Sequence, residues 1–305
     1  MKSLTLSLGL VATLTLAGQA FAFCRTTTCL QKDPPPECNS PTAMVGSCQT
    51  AGKPLFWGES CISFSVNSAG SHAVHGGTAN VITATELESI VRKSYDNWQS
   101  VGCTGGGHPN ISVETYPQVE CDEVRYNKKD VNQNLWVFRD DAWPHDDPTG
   151  STIALTSVIF NPDTGEIYDA DVELNSYAVD FDLETVGSGT DLQSVVQHES
   201  GHVLGLAHSD DMSATMYTSY SGRSDMRTLE QDDTNGICSA YPPGTAENCD
   251  AEPRHGFSTK CTDPGDGGCS VGRVGQSAPW YGGAGILVAL FALLRRRGQR
   301  AASAR

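Results

Sequence analysis

Apolar positions recur along the chain in two periods, and the changes between them mark out its elements. Leu55-Phe56-Trp57 and Ile62-Ser63-Phe64-Ser65-Val66 form an apolar run and an alternating run that together predict a first strand. Thr83-Ala84-Thr85-Glu86 reads as a capping box, after which Leu87, Ile90, Val91 and Trp98 repeat at helical spacing up to a stop at Gly102. Segments 111–115, 134–138, 153–160 and 167–174 read as further strands, the last two joined by the turn Asn161-Pro162-Asp163-Thr164-Gly165. A second helix is predicted from a capping box at Thr190-Asp191-Leu192-Gln193, with Leu192, Val195, Val196 and Val203 as its apolar stripe.

Both ends depart from this patterning. Residues 1–22 carry Lys2, an apolar stretch from Leu4 to Ala17 and the small-x-small site Ala20-Phe21-Ala22, which describes a secretory signal peptide and a mature start at Phe23. No lipobox leucine stands three residues before Cys24, so an N-terminal lipoprotein is not expected. Residues 23–53 are rich in Cys, Pro, Thr and Ser, and Pro34-Pro35-Pro36 forbids regular helix; they read as a disulfide-held arm or a pro-segment. Residues 54–243 hold the periodic elements, and 244–279 read as a cysteine-stapled linker. In the 280–305 tail, Trp280 to Leu294 is apolar but short of the roughly 20 residues of a full membrane span, and Arg295-Arg296-Arg297 closes it.

Eleven cysteines in an exported chain argue for disulfides, with one left over, and their pairing cannot be read from spacing. A zinc role for the irregular first cluster, Cys24 to Cys61, is the less favoured reading. The formal net charge of −16 argues against a nucleic-acid partner, which a basic patch would have to attract.

The chemistry concentrates in His198-Glu199-Ser200-Gly201-His202-Val203-Leu204-Gly205-Leu206-Ala207-His208. On a helix His198 and His202 project from one face at the separation one tetrahedral ion needs. Gly205 can adopt the left-handed conformation that ends a helix, so that the chain turns back and His208 becomes a third ligand. Three neutral imidazoles leave zinc its charge and a fourth position for water, and Glu199 is placed to act as general base.

This run resembles the metzincin metallopeptidases, and Ser209 directly after the third histidine is similar to their matrixin branch. Ala214-Thr215-Met216-Tyr217 is similar to the Met-turn, whose methionine floors the metal site, and Leu229 to Ile237 with Tyr241 look like the matrixin C-terminal helix. The resemblance covers about residues 55–243 and is strong from about 150 onward. It implies an α+β catalytic domain: a twisted mixed sheet with the 153–160 strand as the edge over the cleft, a zinc-binding helix and a C-terminal helix. It also implies that an extended peptide adds to that edge and that Tyr220 walls the pocket for the side chain after the cut bond. Thr218 stands where matrixins usually have Pro and where astacin-like and serralysin-like relatives have a tyrosine ligand, so no fifth protein ligand of that kind is expected. The cysteine-switch sequence is missing, which leaves latency open.

Asp169, Asp171 and Glu173 share one strand face and could hold a structural calcium, as similar segments do in matrixins; a solvated face is the alternative. Asp140, Asp141, Asp146, Asp147, Asp180 and Asp182 are weaker calcium candidates, His145 reads as a loop residue, and Asp232-Asp233 as ordinary acids at a helix N-terminus. The tail resembles the C-terminal sorting tails of myxobacterial surface proteins, with Cys269 as the unpaired residue; a simple tail anchor is the alternative. The expected function is that of a secreted or surface-anchored zinc endopeptidase, with protein or peptide substrates, export and sorting machinery and a membrane as partners. Its rivals are a catalytically silent binding or adhesion module on the same scaffold, and a zinc amidase acting on cell-wall peptides.

Overall fold

Alternation puts a different set of side chains on each side of the central sheet, and this decides where the core forms. The computed structural model describes residues 23–261 apart from 32, 76, 148–149, 184–188, 221–223 and 245–249, together with the backbone of 285–292. The expected signal peptide, Cys269 and most of the tail lie outside the described residues.

The arm begins with β1 (Cys24–Arg25). The domain continues with β2 (Phe56–Trp57), β3 (Cys61–Val66), α1 (Ala84–Ser100), β4 (Ser112–Thr115) and β5 (Leu135–Phe138). Then follow β6 (Thr152–Phe160), β7 (Glu166–Leu174), α2 (Leu192–Val203), β8 (Leu206–Ala207), α3 (Gln231–Ala240) and β9 (Gly285–Ala292). The main sheet runs β9-β6-β7-β5-β3-β4, with β2 paired to the start of β7. It is mixed: β4, β3, β5 and β7 are mutually parallel, whereas β6 lies antiparallel to β7 and β9 antiparallel to β6. An α+β fold with a mixed sheet is therefore present.

The first strand read from sequence is two strands. Gly58-Glu59-Ser60 breaks the run, so β2 joins β7 while β3 enters the sheet beside β4 and β5. Helix α1 starts as expected, with the Thr83 hydroxyl accepting from Glu86 N–H and the Glu86 carboxylate accepting from Thr83 N–H. On one side of the sheet Phe64, Trp136, Ala154, Val158, Phe160, Val172 and Leu174 meet Leu87, Val91, Tyr95 and Trp98 of α1 and Val195, Val196 and Val203 of α2. On the other side Leu135 and Val137 form a small second core with Val119. Helix α1 backs α2 directly: the Trp98 indole N–H lies 2.9 Å from Ser200 Oγ, and Asn97 donates to Gln197 at 2.7 Å.

The outer edge of β6, expected to be open over a cleft, carries β9, in register from Phe160 opposite Gly285 to Leu155 opposite Leu290. Part of the apolar stretch read as a sorting or anchoring tail forms a strand here, since an edge with unpaired backbone groups accepts another strand. Among the described residues no helix is long and apolar enough to cross a membrane.

Disulfides join Cys24 to Cys48, Cys29 to Cys38, Cys103 to Cys238 and Cys121 to Cys261, and Cys61 is disulfide-bonded as well. Cys103–Cys238 ties the exit of α1 to α3 across 135 residues of chain, a loop long enough for loss of the bond to cost about 2–5 kcal/mol. Replacing both cysteines by Ala should lower the melting temperature accordingly in calorimetry, and an unchanged melting temperature would show the cross-link to be idle.

Candidate metal centre

The helix that bears the first two histidines is held at its start by side chains rather than by the expected box. Asp191, not Thr190, is the N-cap: its carboxylate accepts from Ser194 N–H at 3.1 Å and from the Ser194 hydroxyl. Thr190 is instead drawn into a short parallel pairing with Phe181. The Arg227 guanidinium grips Asp191 through Nε and Nη2, and Asp191 N–H donates to the Tyr220 hydroxyl at 2.9 Å. Tyr220, expected in a pocket wall, is thus buried with its oxygen on the start of α2.

From this fixed start, His198 and His202 rise on one face with ring centroids 4.7 Å apart. Helix α2 then stops at Val203, and Gly205 takes φ +84°; a Cβ there would also sit 2.6 Å from the Leu55 carbonyl. The turn brings His208 back to ring distances of 5.2 Å from His198 and 4.8 Å from His202. One ligand nitrogen from each of the three rings lies within 4.8 Å of the others.

Backbone carbonyls set which nitrogen faces inward. His198 Nδ1 lies 2.7 Å from the Thr215 oxygen and His202 Nδ1 2.8 Å from the Leu206 oxygen. A carbonyl only accepts, so each Nδ1 carries the proton and each Nε2 keeps a lone pair for the centre. Burial first, then the neighbouring rings, lowers His198 well below the ordinary range and His202 to about 3, while burial brings His208 to about 4. All three are neutral near pH 7, and His202 and His208 turn Nε2 toward Nε2 at 3.3 Å. Three neutral nitrogen donors converging in a buried site fit a divalent cation of zinc's preferences.

Glu199 is fully buried. Its Oε2 accepts from the Thr156 hydroxyl at 2.5 Å, and its Oε1 has no hydrogen-bond partner among the described residues. Burial pushes its carboxyl up to about 8, against the opposing pull of the Thr156 hydrogen bond. Thr156 escaped the sequence reading, although it is a polar residue set between Ala154 and Val158 on the helix-facing row of β6.

Met216 is buried against α2, packed so closely that a Cβ on Gly201 would collide with its sulfur. The 214–217 segment, expected to be the Met-turn, is held from α3. Asp233 accepts from Thr215 N–H at 2.8 Å, Met216 N–H at 3.0 Å and Glu230 N–H at 2.9 Å, and Asp232 accepts from the Ser209 hydroxyl at 2.6 Å. These acids do more than favour a helix N-terminus: Asp233 fixes the peptide whose carbonyl orients His198.

The three acids of β7 divide. Asp171 accepts from Leu135 N–H at 2.8 Å, whereas Glu173 pairs with Arg139 Nε and His145 Nε2, both at 2.6 Å. Burial raises Glu173, but His145 and Arg139 outweigh it and leave its pKa lowered. Asp169 is buried with only its fellow carboxyl Asp171 as a partner among the described residues; burial, then the charge of Asp171 and the hydrogen bond with it, raises Asp169 strongly, and burial raises Asp171 to about 8. His145 is therefore bonded to an acid. Of the weaker calcium candidates, Asp140 accepts from Ser71, His72 and Ser176, Asp147 from Thr152, Asp180 from Asn80 and Asp182 from Gly189.

Residues 71–242 match the family model described as Matrixin (Peptidase_M10). The chain is 31% identical over 169 residues to Metalloendoproteinase 4-MMP of Arabidopsis thaliana, which covers 55% of this chain and 43% of that one. It is 40% identical over 156 residues to Metalloendoproteinase 1 of Glycine max, covering 51% and 45%. Karilysin of Tannerella forsythia is 25% identical over 186 residues, covering 61% and 33%. The chain spans less than half the length of these curated relatives.

The site predicts its own proton balance on loading. Near pH 7 the imidazoles have no protons to lose, but Glu199, with a pKa of about 8 in the metal-free protein, is mostly protonated, and a nearby double positive charge favours its anion. Calorimetric zinc titrations in buffers of different ionisation enthalpy should therefore detect proton release at pH 7, and release should be smaller in Glu199→Gln.

Proposed function

The chain belongs to the matrixin family, and from that premise we propose that it is an exported zinc endopeptidase cutting internal peptide bonds of proteins. The observation that carries this reading is the Glu199 carboxylate, anchored through one oxygen by Thr156, with no hydrogen-bond partner for the other among the described residues, on the helix that brings His198 and His202 to a cluster of three converging imidazoles. When bound by His198, His202 and His208, zinc supplies a Lewis acid that lowers the pKa of water toward about 7 and polarises a carbonyl.

The protein's own groups do the rest. Glu199 Oε1 takes the proton of the attacking water and hands it to the leaving amine, while Thr156 keeps the carboxylate from rotating away. The Thr215 and Leu206 carbonyls hold two of the three rings in place. Met216 fills the space below the centre and excludes water from it. A substrate chain binds extended along β6, through main-chain hydrogen bonds that tolerate many sequences. It would use the backbone groups that β9 pairs with, so β9 and such a substrate exclude one another.

In this reading residues 1–22 are a signal peptide, 54–243 the catalytic domain, 244–279 a stapled linker and 280–305 a sorting or anchoring tail. The disulfides suit an oxidising, extracytoplasmic compartment. Asp169 and Asp171 hold a structural calcium, which would relieve two buried carboxyls whose ionisation is otherwise opposed; Glu173, already paired, stays out of it.

Wild-type protein should bind one zinc and cleave casein, chelation should abolish cleavage, and Glu199→Gln should retain zinc while losing about 10²–10⁴-fold in kcat. Zinc retained with no cleavage of any protein or cell-wall peptide would favour a binding module, and cleavage of cell-wall peptides alone an amidase. Added calcium should raise the melting temperature of the wild type and leave that of Asp171→Asn unmoved.

A further inference from the structure

The N-terminal arm reaches the metal centre. Strand β1 pairs antiparallel with β8, Cys24 opposite Ala207 and Arg25 opposite Leu206, directly before His208. Thr26 N–H donates to the Gly205 oxygen at 3.0 Å and Arg25 Nε approaches the same oxygen at 3.4 Å. On the far side of His208, Ser47 N–H donates to Asp210 Oδ2 at 3.1 Å. The Cys24–Cys48 disulfide closes the arm, so both grips on the third-ligand loop come from one cross-linked piece. The most direct link runs through one atom: the Leu206 oxygen accepts from the Thr26 hydroxyl at 3.0 Å and stands 2.8 Å from His202 Nδ1.

We propose that Thr26 is a positioning residue of the metal centre and that the arm is a permanent part of the site rather than a segment shed on activation. The proposal rests on the zinc-peptidase reading for the identity of the cation. Leu206 follows Gly205, the most freely rotating residue of the loop, so its peptide needs an external hold if its carbonyl is to orient an imidazole. Thr26 is 1% exposed, and its hydroxyl supplies that hold on one lone pair of the carbonyl while His202 uses the other. Removing the hydroxyl leaves the Leu206 oxygen still bonded to His202, so the loss falls on geometry rather than on an orphaned polar group.

The test uses the full-length exported protein with Thr26→Val, which keeps the shape and removes the donor, and Thr26→Ser, which keeps the donor. Zinc affinity is read by competition with a chromophoric chelator, and site geometry by the visible spectrum of the cobalt-substituted protein. Thr26→Val should weaken zinc about tenfold, the lower end of the effect of outer-shell partners, and alter the cobalt spectrum; Thr26→Ser should restore both. Wild-type affinity and spectrum in Thr26→Val, even at reduced stability, would overturn the proposal. If Thr26→Val fails to fold, Cys24→Ala/Cys48→Ala, which frees the arm, should weaken zinc instead, and unchanged affinity there would be equally fatal. Fully active protein lacking residues 24–48 by mass spectrometry would also overturn it. A wild type that binds no zinc would instead remove the functional reading beneath it.

Discussion

Three uncharged imidazoles converging on one point form an arrangement that no ring would choose alone. It persists because the opposite nitrogen of two rings is tied to a backbone carbonyl, Thr215 for His198 and Leu206 for His202. Each carbonyl is in turn fixed by a distant part of the chain: the Met-turn peptides by Asp233 of α3, the Leu206 peptide by the arm. The centre is a place where four separate pieces of chain meet, and its precision belongs to all of them.

The division of the sheet into two faces gives each piece its place. The face toward α1 and α2 carries the main apolar core, and the hydroxyl of Thr156 within it meets Glu199. The opposite face carries Asp169, Asp171 and Glu173 beside the small second core. A buried hydroxyl on one side and buried carboxyls on the other are costly unless partnered. Thr156 and Glu173 have protein partners, whereas Asp169 has only its fellow carboxyl Asp171 among the described residues, which is the ground for the calcium proposed on that face.

Elements with strong periodicity were legible in the sequence. Helix α1, its Thr83 cap, the β6–β7 hairpin and the left-handed Gly205 lie within a residue or two of their expected positions, because each is decided by local spacing and backbone sterics. What escaped was decided by tertiary contact. Thr156 looks like one more β-branched strand residue until Glu199 stands against it, and Asp233 like any acid in a first helical turn until two Met-turn N–H groups point at it. The split of Leu55–Val66 into two strands, and the pairing of Cys103 with Cys238, depend on which partners the folded chain offers.

The supports of the histidines come from opposite ends of the domain, with Thr26 at its front and Asp233 near its back. A polypeptide emerges N-terminus first, so the last of these supports arrives only after nearly the whole domain has been made. A nascent chain therefore presents loose imidazoles rather than a formed cup. A formed metal cup is thus a late event in synthesis, one that awaits α3.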